Sequence, residues 1–88
     1  MNITFDPKKD AANQVKHGLS LAVAAKLNWD EALSWVDSRI DSEERMVALL
    51  SLKGRTHVVV FVDRNDSRRI ISLRKANRRE CKIYETRK

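Results

Sequence analysis

Three strand-like segments joined by two very short connections constrain the fold more than any other feature of this sequence. The segments are RMVALLSL (45–52), RTHVVVFVD (55–63) and RRIISLR (68–74), and all are rich in residues that favour strands. Lys53-Gly54 separates the first two segments, and RNDS (64–67) separates the last two. Connections this short join neighbouring antiparallel strands, so the sequence predicts an antiparallel meander.

The N-terminal part predicts a short strand and two helices. NITF (2–5) alternates weakly in polarity, as a short strand does. Asp6-Pro7 is typical of a helix start, because Asp accepts hydrogen bonds from free N–H groups and Pro fits the first helical position. This helix is predicted to end near His17-Gly18, and Ser20 is predicted to cap a second helix over LAVAAKLN (21–28).

Two further elements complete the predicted fold. EALSWVD (31–37) alternates in polarity and predicts a strand, whereas the polar DSRIDSEE (37–44) predicts a loop. Asn77 and Glu80 have the spacing of a capping box at the start of a C-terminal helix. The predicted fold class is α+β, a small antiparallel sheet with two N-terminal helices and one C-terminal helix in the order β-α-α-β-β-β-β-α.

Length and composition indicate one small domain. The 88 residues are predicted to form a single domain over 1–88, and a hydrophobic fraction of 42% is enough for a core. Trp29 and Trp35 are predicted to lie in that core, because aromatic side chains contribute much of the buried area of a small domain.

The positive charge is concentrated near the C-terminus. The net charge is +6, and residues 64–88 hold ten Lys or Arg against three Asp or Glu. This imbalance indicates a polyanion or an acidic protein as partner. The alternative is a solvated helix face whose arginines provide solubility.

Cysteine usage and apolar runs indicate the compartment. Cys81 is the single cysteine, which is typical of a reducing cytoplasm. No signal peptide is expected from MNITFDPKKD, and VVVFV (58–62) is too short to cross a bilayer. We therefore expect a cytoplasmic protein that does not contact a membrane.

Several segments, in order along the chain, resemble the BrnT family of type II toxins. FDPKKDAANQVKHGLS (5–20) is similar to the family's N-terminal pattern, which ends in Lys-His-Gly. Glu44-Arg45 is similar to its Glu-Arg pair, VVVFV (58–62) to its central strand, and RIISLRKANRRECKIYE (69–85) to its terminal signature. The sequence departs from the usual alanine, threonine and aromatic residue at Leu73, Asn77 and Leu21.

The resemblance implies a RelE-like fold and a ribonuclease that inhibits translation by cutting RNA, with ribosome-associated messenger RNA as one candidate. It also implies a cognate BrnA-like antitoxin that covers the toxin and binds operator DNA, so that contact with DNA is indirect. Two alternatives stay open: a non-catalytic module that binds nucleic acid or an acidic partner through residues 68–88, and a degenerate toxin that acts as a corepressor.

A ribonuclease that uses the ribose 2′-OH as nucleophile needs a proton acceptor, a proton donor and cations that stabilise the charged phosphorane. The sequence has one cysteine and two widely separated histidines, which is not the spacing of metal ligands. Only two glycines are present, so a glycine-rich phosphate loop is not predicted either. The expected chemistry is therefore metal-independent and without a cofactor.

Three residues are the candidate catalytic groups. Arg69 and Arg74 can bind phosphate oxygens with two parallel hydrogen bonds, although Arg74 could instead pair with an acid such as Glu44 or Glu80. Histidine is the residue type best suited to proton transfer at neutral pH, and His17 matches the Lys-His-Gly pattern. The alternative is that His17 only ends a helix and contacts its last carbonyl groups.

Five residues are the candidate RNA-binding groups: Lys16, Lys75, Arg78, Arg79 and Tyr84. Lys75 is either a phosphate contact or a solvated lysine. Tyr84 either stacks on a base or packs on the sheet. His57 has no counterpart in the resemblance and is predicted to be a residue of the sheet face.

Overall fold

The structure is a computed structural model that describes residues 2–40 and 43–87. Its strands and α-helices are, in chain order, β1 (Asn2–Phe5), α1 (Pro7–His17), β2 (Leu33–Ile40), β3 (Glu43–Leu52), β4 (Arg55–Arg64), β5 (Ser67–Lys75) and α2 (Arg78–Glu85). Two 3₁₀ segments, Leu21–Lys26 and Trp29–Glu31, connect α1 to β2. Within the described residues, no helix is both long enough and apolar enough to cross a membrane.

The five strands form one mixed sheet in the order β1-β5-β4-β3-β2. Strands β2 to β5 form the predicted antiparallel meander. The prediction of a purely antiparallel sheet was wrong, because β1 pairs with β5 in parallel. The sequence of a four-residue strand does not reveal its partner, and here the helical segments carry the chain from one edge of the sheet to the other.

Two element predictions need correction. The predicted second helix is helical but has 3₁₀ geometry over Leu21–Lys26, with Ser20 as its cap. The predicted loop at 37–44 is largely strand, since β2 continues to Ile40 and β3 begins at Glu43, while residues 41–42 lie outside the described part. Polar side chains suit strands that pair opposite charges, and Arg39 bonds Glu44 across these two strands at 2.8 Å.

The tight connections have the predicted positions. Lys53 and Gly54 both have positive φ, 51° and 77°, as the favoured two-residue hairpin turn requires. Gly18 ends α1 in the left-handed conformation with a φ of 71°, and its N–H donates to the Gln14 carbonyl. Asn77 and Glu80 form the predicted capping box at the start of α2.

Each face of the sheet is covered by a different element. The first face is covered by the longer 3₁₀ segment, whose Leu21 and Ala24 are fully buried. The second face is covered at one end by α2, whose Tyr84 packs with Val47, Leu49 and Val58.

The two tryptophans differ in their burial. Trp29 is half-buried and meets Phe61 edge-to-face at 5.3 Å between ring centroids. The prediction that Trp35 is buried was wrong, because its side chain is 39% exposed. Trp35 lies on the edge strand β2, which has a neighbouring strand on one side only.

Candidate active site

A bulge in β5 places the two predicted catalytic arginines on one face of the sheet. Arg69, Ser72 and Arg74 pair with three valines that alternate along β4 and therefore share the second face: Val62, Val60 and Val58. The register shifts between Val60 and Phe61, which leaves Ile71 as the extra residue of β5. Without this extra residue, two side chains five positions apart would point to opposite faces.

The end of α1 lies beside this part of β5. Lys16 and His17 line a groove of about 190 Å³ together with Ile71 and Ser72. Lys9 and Ala12 of α1 also line it. We refer to it as the α1–β5 groove, since α1 and β5 supply its lining. Ser72 of this lining lies between Arg69 and Arg74 on the second face of the sheet. The groove brings the predicted proton-transfer group close to the predicted phosphate-binding strand.

Asn13 attaches α1 to β5 through its side-chain amide. Asn13 Nδ2 donates to the carbonyl oxygens of Leu73 at 2.9 Å and Leu19 at 2.8 Å, and the Leu73 N–H donates to Asn13 Oδ1 at 3.2 Å. Strand β1 ends opposite Ile70, so the amide provides the hydrogen bonds that another strand would give to Leu73. This attachment fixes the position of the α1–β5 groove.

Arg74 forms the ion pair that was the structural alternative for it. Its two terminal nitrogens each bond one Glu80 carboxylate oxygen at 2.8 Å, and Glu80 also accepts a hydrogen bond from the Asn77 N–H. The bond from Arg74 is the main reason that the pKa of Glu80 lies below its ordinary value of 4.5. The same bond raises the pKa of Arg74. The pair connects the end of β5 to the first turn of α2.

This ion pair predicts a loss of stability in acid. A lowered pKa in the folded state means that the pair stabilises the fold above pH 4.5, and that the stabilisation disappears as the pH falls through the lowered value. Glu80→Gln should therefore lower the free energy of unfolding at pH 7, and its effect should be smaller at pH 3 than at pH 7, as measured by urea denaturation at both pH values. Glu85→Gln on the same helix is the control, and an equal effect of Glu80→Gln at the two pH values would contradict the prediction.

Arg69 lies farther from its carboxylate partner than Arg74 does. Its nearest carboxylate oxygen belongs to Asp6 at 4.0 Å, and its side chain is 37% exposed. Asp6 also accepts a hydrogen bond from the Lys8 N–H at the start of α1. Arg69 thus keeps more of its hydrogen-bonding capacity for a ligand than Arg74 does.

The predicted RNA-binding residues do not all lie at the α1–β5 groove. Arg78 and Arg79 are exposed in the first turn of α2. Lys75 pairs with His57 and belongs to the first face of the sheet, opposite the groove. Its position in a strand therefore separates it from Arg74, its neighbour in sequence.

Tyr84 is mostly buried and belongs to the hydrophobic cluster on the second face of the sheet. The side chain is 6% exposed, its hydroxyl donates to the Glu31 carbonyl at 3.1 Å, and the Arg87 guanidinium lies 3.8 Å from the ring centroid. The assignment of Tyr84 to RNA stacking is corrected by this burial, and packing on the sheet is what is observed.

Sequence reasoning missed three residues of the groove region. Ser72 and Lys9 line the groove, and Asn13 connects α1 to β5 by hydrogen bonds. Asn13 and Lys9 lie within the N-terminal segment of the resemblance, which was the available signal. Among residues 2–40 and 43–87, no three His, Cys, Asp or Glu side chains come close enough to hold a metal ion.

Comparison with known proteins gives the same family as the sequence motifs. Residues 5–80 match the family model described as "Ribonuclease toxin, BrnT, of type II toxin-antitoxin system". The fold is similar to the crystal structure of the Brucella abortus ribonuclease toxin, BrnT, with a TM-score of 0.70, 26% identity, and coverage of 89% of this chain and 99% of that chain. No curated protein matches the chain.

Proposed function

Because the chain belongs to the BrnT family of ribonuclease toxins of type II toxin–antitoxin systems, we propose that it cleaves RNA at the α1–β5 groove without a metal ion. The observation that carries this proposal is the placement of His17 beside Ser72, with Arg69 on the same face of β5. The histidine supplies the proton acceptor and the half-exposed arginine supplies a cation for the phosphorane, while water is the proton donor to the leaving oxygen.

The proposed reaction uses the ribose of the RNA as the nucleophile. His17 accepts the proton of the 2′-OH, whose oxygen attacks the adjacent phosphorus, and the bond to the 5′-oxygen breaks as that oxygen takes a proton from a water molecule, which leaves hydroxide to collect the proton held by His17. Arg69 stabilises the negative charge of the phosphorane, and Lys16 binds a neighbouring phosphate. Arg74 has the smaller role, because both of its terminal nitrogens already bond Glu80. The products carry a 2′,3′-cyclic phosphate and a 5′-OH.

Inhibition of translation follows from this reaction if messenger RNA is the substrate, and a BrnA-like antitoxin is the proposed inhibitor. The excess of Lys and Arg over residues 64–88 supports an acidic antitoxin segment that covers the basic surface. RNA and antitoxin would both meet this chain in the cytoplasm.

RNA cleavage by the purified chain in EDTA is the direct test. We expect cleavage at the same rate with EDTA and with Mg²⁺, cyclic phosphate and 5′-OH product ends, and no cleavage once the antitoxin is added in equimolar amount. Cleavage that stops in EDTA and returns with Mg²⁺ would contradict the metal-independent reaction. RNA that is bound but never cut, with or without ribosomes, would favour the non-catalytic binding module instead.

A further inference from the structure

A second pocket lies on the first face of the sheet, opposite the α1–β5 groove. Its volume is about 590 Å³, compared with about 190 Å³ for the groove. The lining combines three aliphatic residues, Leu19, Val23 and Leu52, with five nitrogen-bearing residues, Lys26, Lys53, Arg55, His57 and Lys75. We refer to it as the His57 pocket.

Positive charge dominates the His57 pocket. Four of its lining residues are cationic, and the described lining contains no carboxylate. Lys26 and Lys75 are exposed, and neither ammonium group forms an ion pair or hydrogen bond with any of the residues 2–40 and 43–87. Like charges gathered in one concave surface attract an anion and are stabilised when one binds.

His57 lines the pocket and is mostly buried. The residue is 3% exposed, and its Nδ1 lies 2.8 Å from the Arg55 carbonyl oxygen. A carbonyl oxygen only accepts, so Nδ1 carries a hydrogen and Nε2 is the second polar atom of the ring. Nε2 makes no hydrogen bond with the described residues. Because His57 lines the pocket, its ring can report the entry of a ligand.

The pocket and the groove are connected through the hydrogen bonds of the Asn13 side chain. The Asn13 side chain, which lines the groove, bonds the carbonyl oxygens of Leu19 and Leu73. Leu19 lines the His57 pocket, and Lys75 of the pocket follows Arg74 directly in β5. A polymer that crosses this edge of the sheet would meet both sites.

We propose that the His57 pocket is a subsite for a nucleotide that flanks the cleaved bond in the same RNA strand, an inference that rests on the proposed function. The aliphatic residues contact the sugar and the base. Lys26, Lys53 and Lys75 bind the phosphate, since a phosphate-bearing ligand with an apolar body matches a lining of cations and aliphatic groups. The pocket thereby holds the strand in register while the groove performs the reaction.

The two histidines of the chain allow the two sites to be observed separately. We would follow the ring resonances of His17 and His57 by NMR while adding a 2′-O-methyl oligonucleotide, which cannot be cleaved by the 2′-OH reaction. The other two ligands are a nucleoside 5′-monophosphate and inorganic phosphate. We expect the oligonucleotide to shift both resonances, and to shift that of His57 at lower concentration than either small ligand does.

Matched variants identify the groups responsible. Lys26→Gln with Lys75→Gln should weaken oligonucleotide binding by about tenfold, and at saturation it should reduce the shift of the His57 resonance while preserving that of His17. Lys8→Gln with Lys82→Gln removes the same charge from exposed helix positions and should leave both responses nearly unchanged.

The outcomes separate this inference from the proposed function. A shift of His17 alone would overturn the subsite and leave the cleavage site intact. No shift of either histidine, at low salt and with a folded protein, would count against RNA binding altogether. A His57 shift with the monophosphate or with inorganic phosphate, but not with the oligonucleotide, would identify a site for a free anion and overturn the RNA subsite.

Discussion

Asn13→Ala should lower the free energy of unfolding by about 3 kcal/mol or more. The substitution removes three hydrogen bonds of a residue that is 5% exposed. It leaves the N–H and C=O groups of Leu73 and the C=O group of Leu19 without their partner, and each buried group left unsatisfied costs about 1–3 kcal/mol. The free energy of unfolding of a native protein is only about 5–15 kcal/mol, so the midpoint of urea denaturation should fall substantially.

Gln14→Ala is the matched control for this prediction. Gln14 is the next residue of α1, and its side chain makes only an exposed hydrogen bond to Asp10 at 3.1 Å. Its replacement should change the free energy of unfolding by no more than about 0.5 kcal/mol. If the two variants lost similar stability, the amide of Asn13 would not be the attachment between α1 and β5.

His17→Ala should reduce the rate of RNA cleavage by about 10²–10⁴-fold, the range typical for the loss of a general acid–base group. The side chain makes no described hydrogen bond within residues 2–40 and 43–87, and it lies at the groove. The fold should therefore survive, as checked by circular dichroism. Single-turnover cleavage by the parent and the variant measures the effect.

Arg74→Ala provides the comparison that separates chemistry from structure. This variant breaks the ion pair with Glu80, so it should lose stability together with activity, whereas His17→Ala should lose activity alone. A folded His17→Ala variant that cleaves as fast as the parent would leave His17 with the helix-ending role only.

The sequence predicted most elements of the fold because their signals are local. The Lys53-Gly54 turn, the cap at Asp6 and the capping box at Asn77 are each determined by residues next to each other in the chain. The parallel pairing of β1 with β5 and the strand continuation to Ile40 were not predictable in this way, since both depend on distant partners.

The candidate site was predictable in its residues but not in its geometry. Regular alternation would place Arg69 and Arg74 on opposite faces of β5, and only the extra residue Ile71 brings them to the same face. The bulge arises from pairing with β4, and no pattern in the neighbouring sequence predicts it. Tyr84 and Lys75 show the same limit, because burial and choice of face depend on the packed structure.

The hydrogen bonds between Asn13 and Leu73 also determine when, during synthesis of the chain, α1 can be attached to β5. Asn13 and Leu73 are 60 positions apart, so a growing chain makes their bond only after most of the sequence has left the ribosome. Until then α1 has no β5 to pack against, and β1 has no strand to pair with. A nascent chain therefore cannot contain the α1–β5 groove until β5 has been synthesised, and the candidate site assembles only after that point.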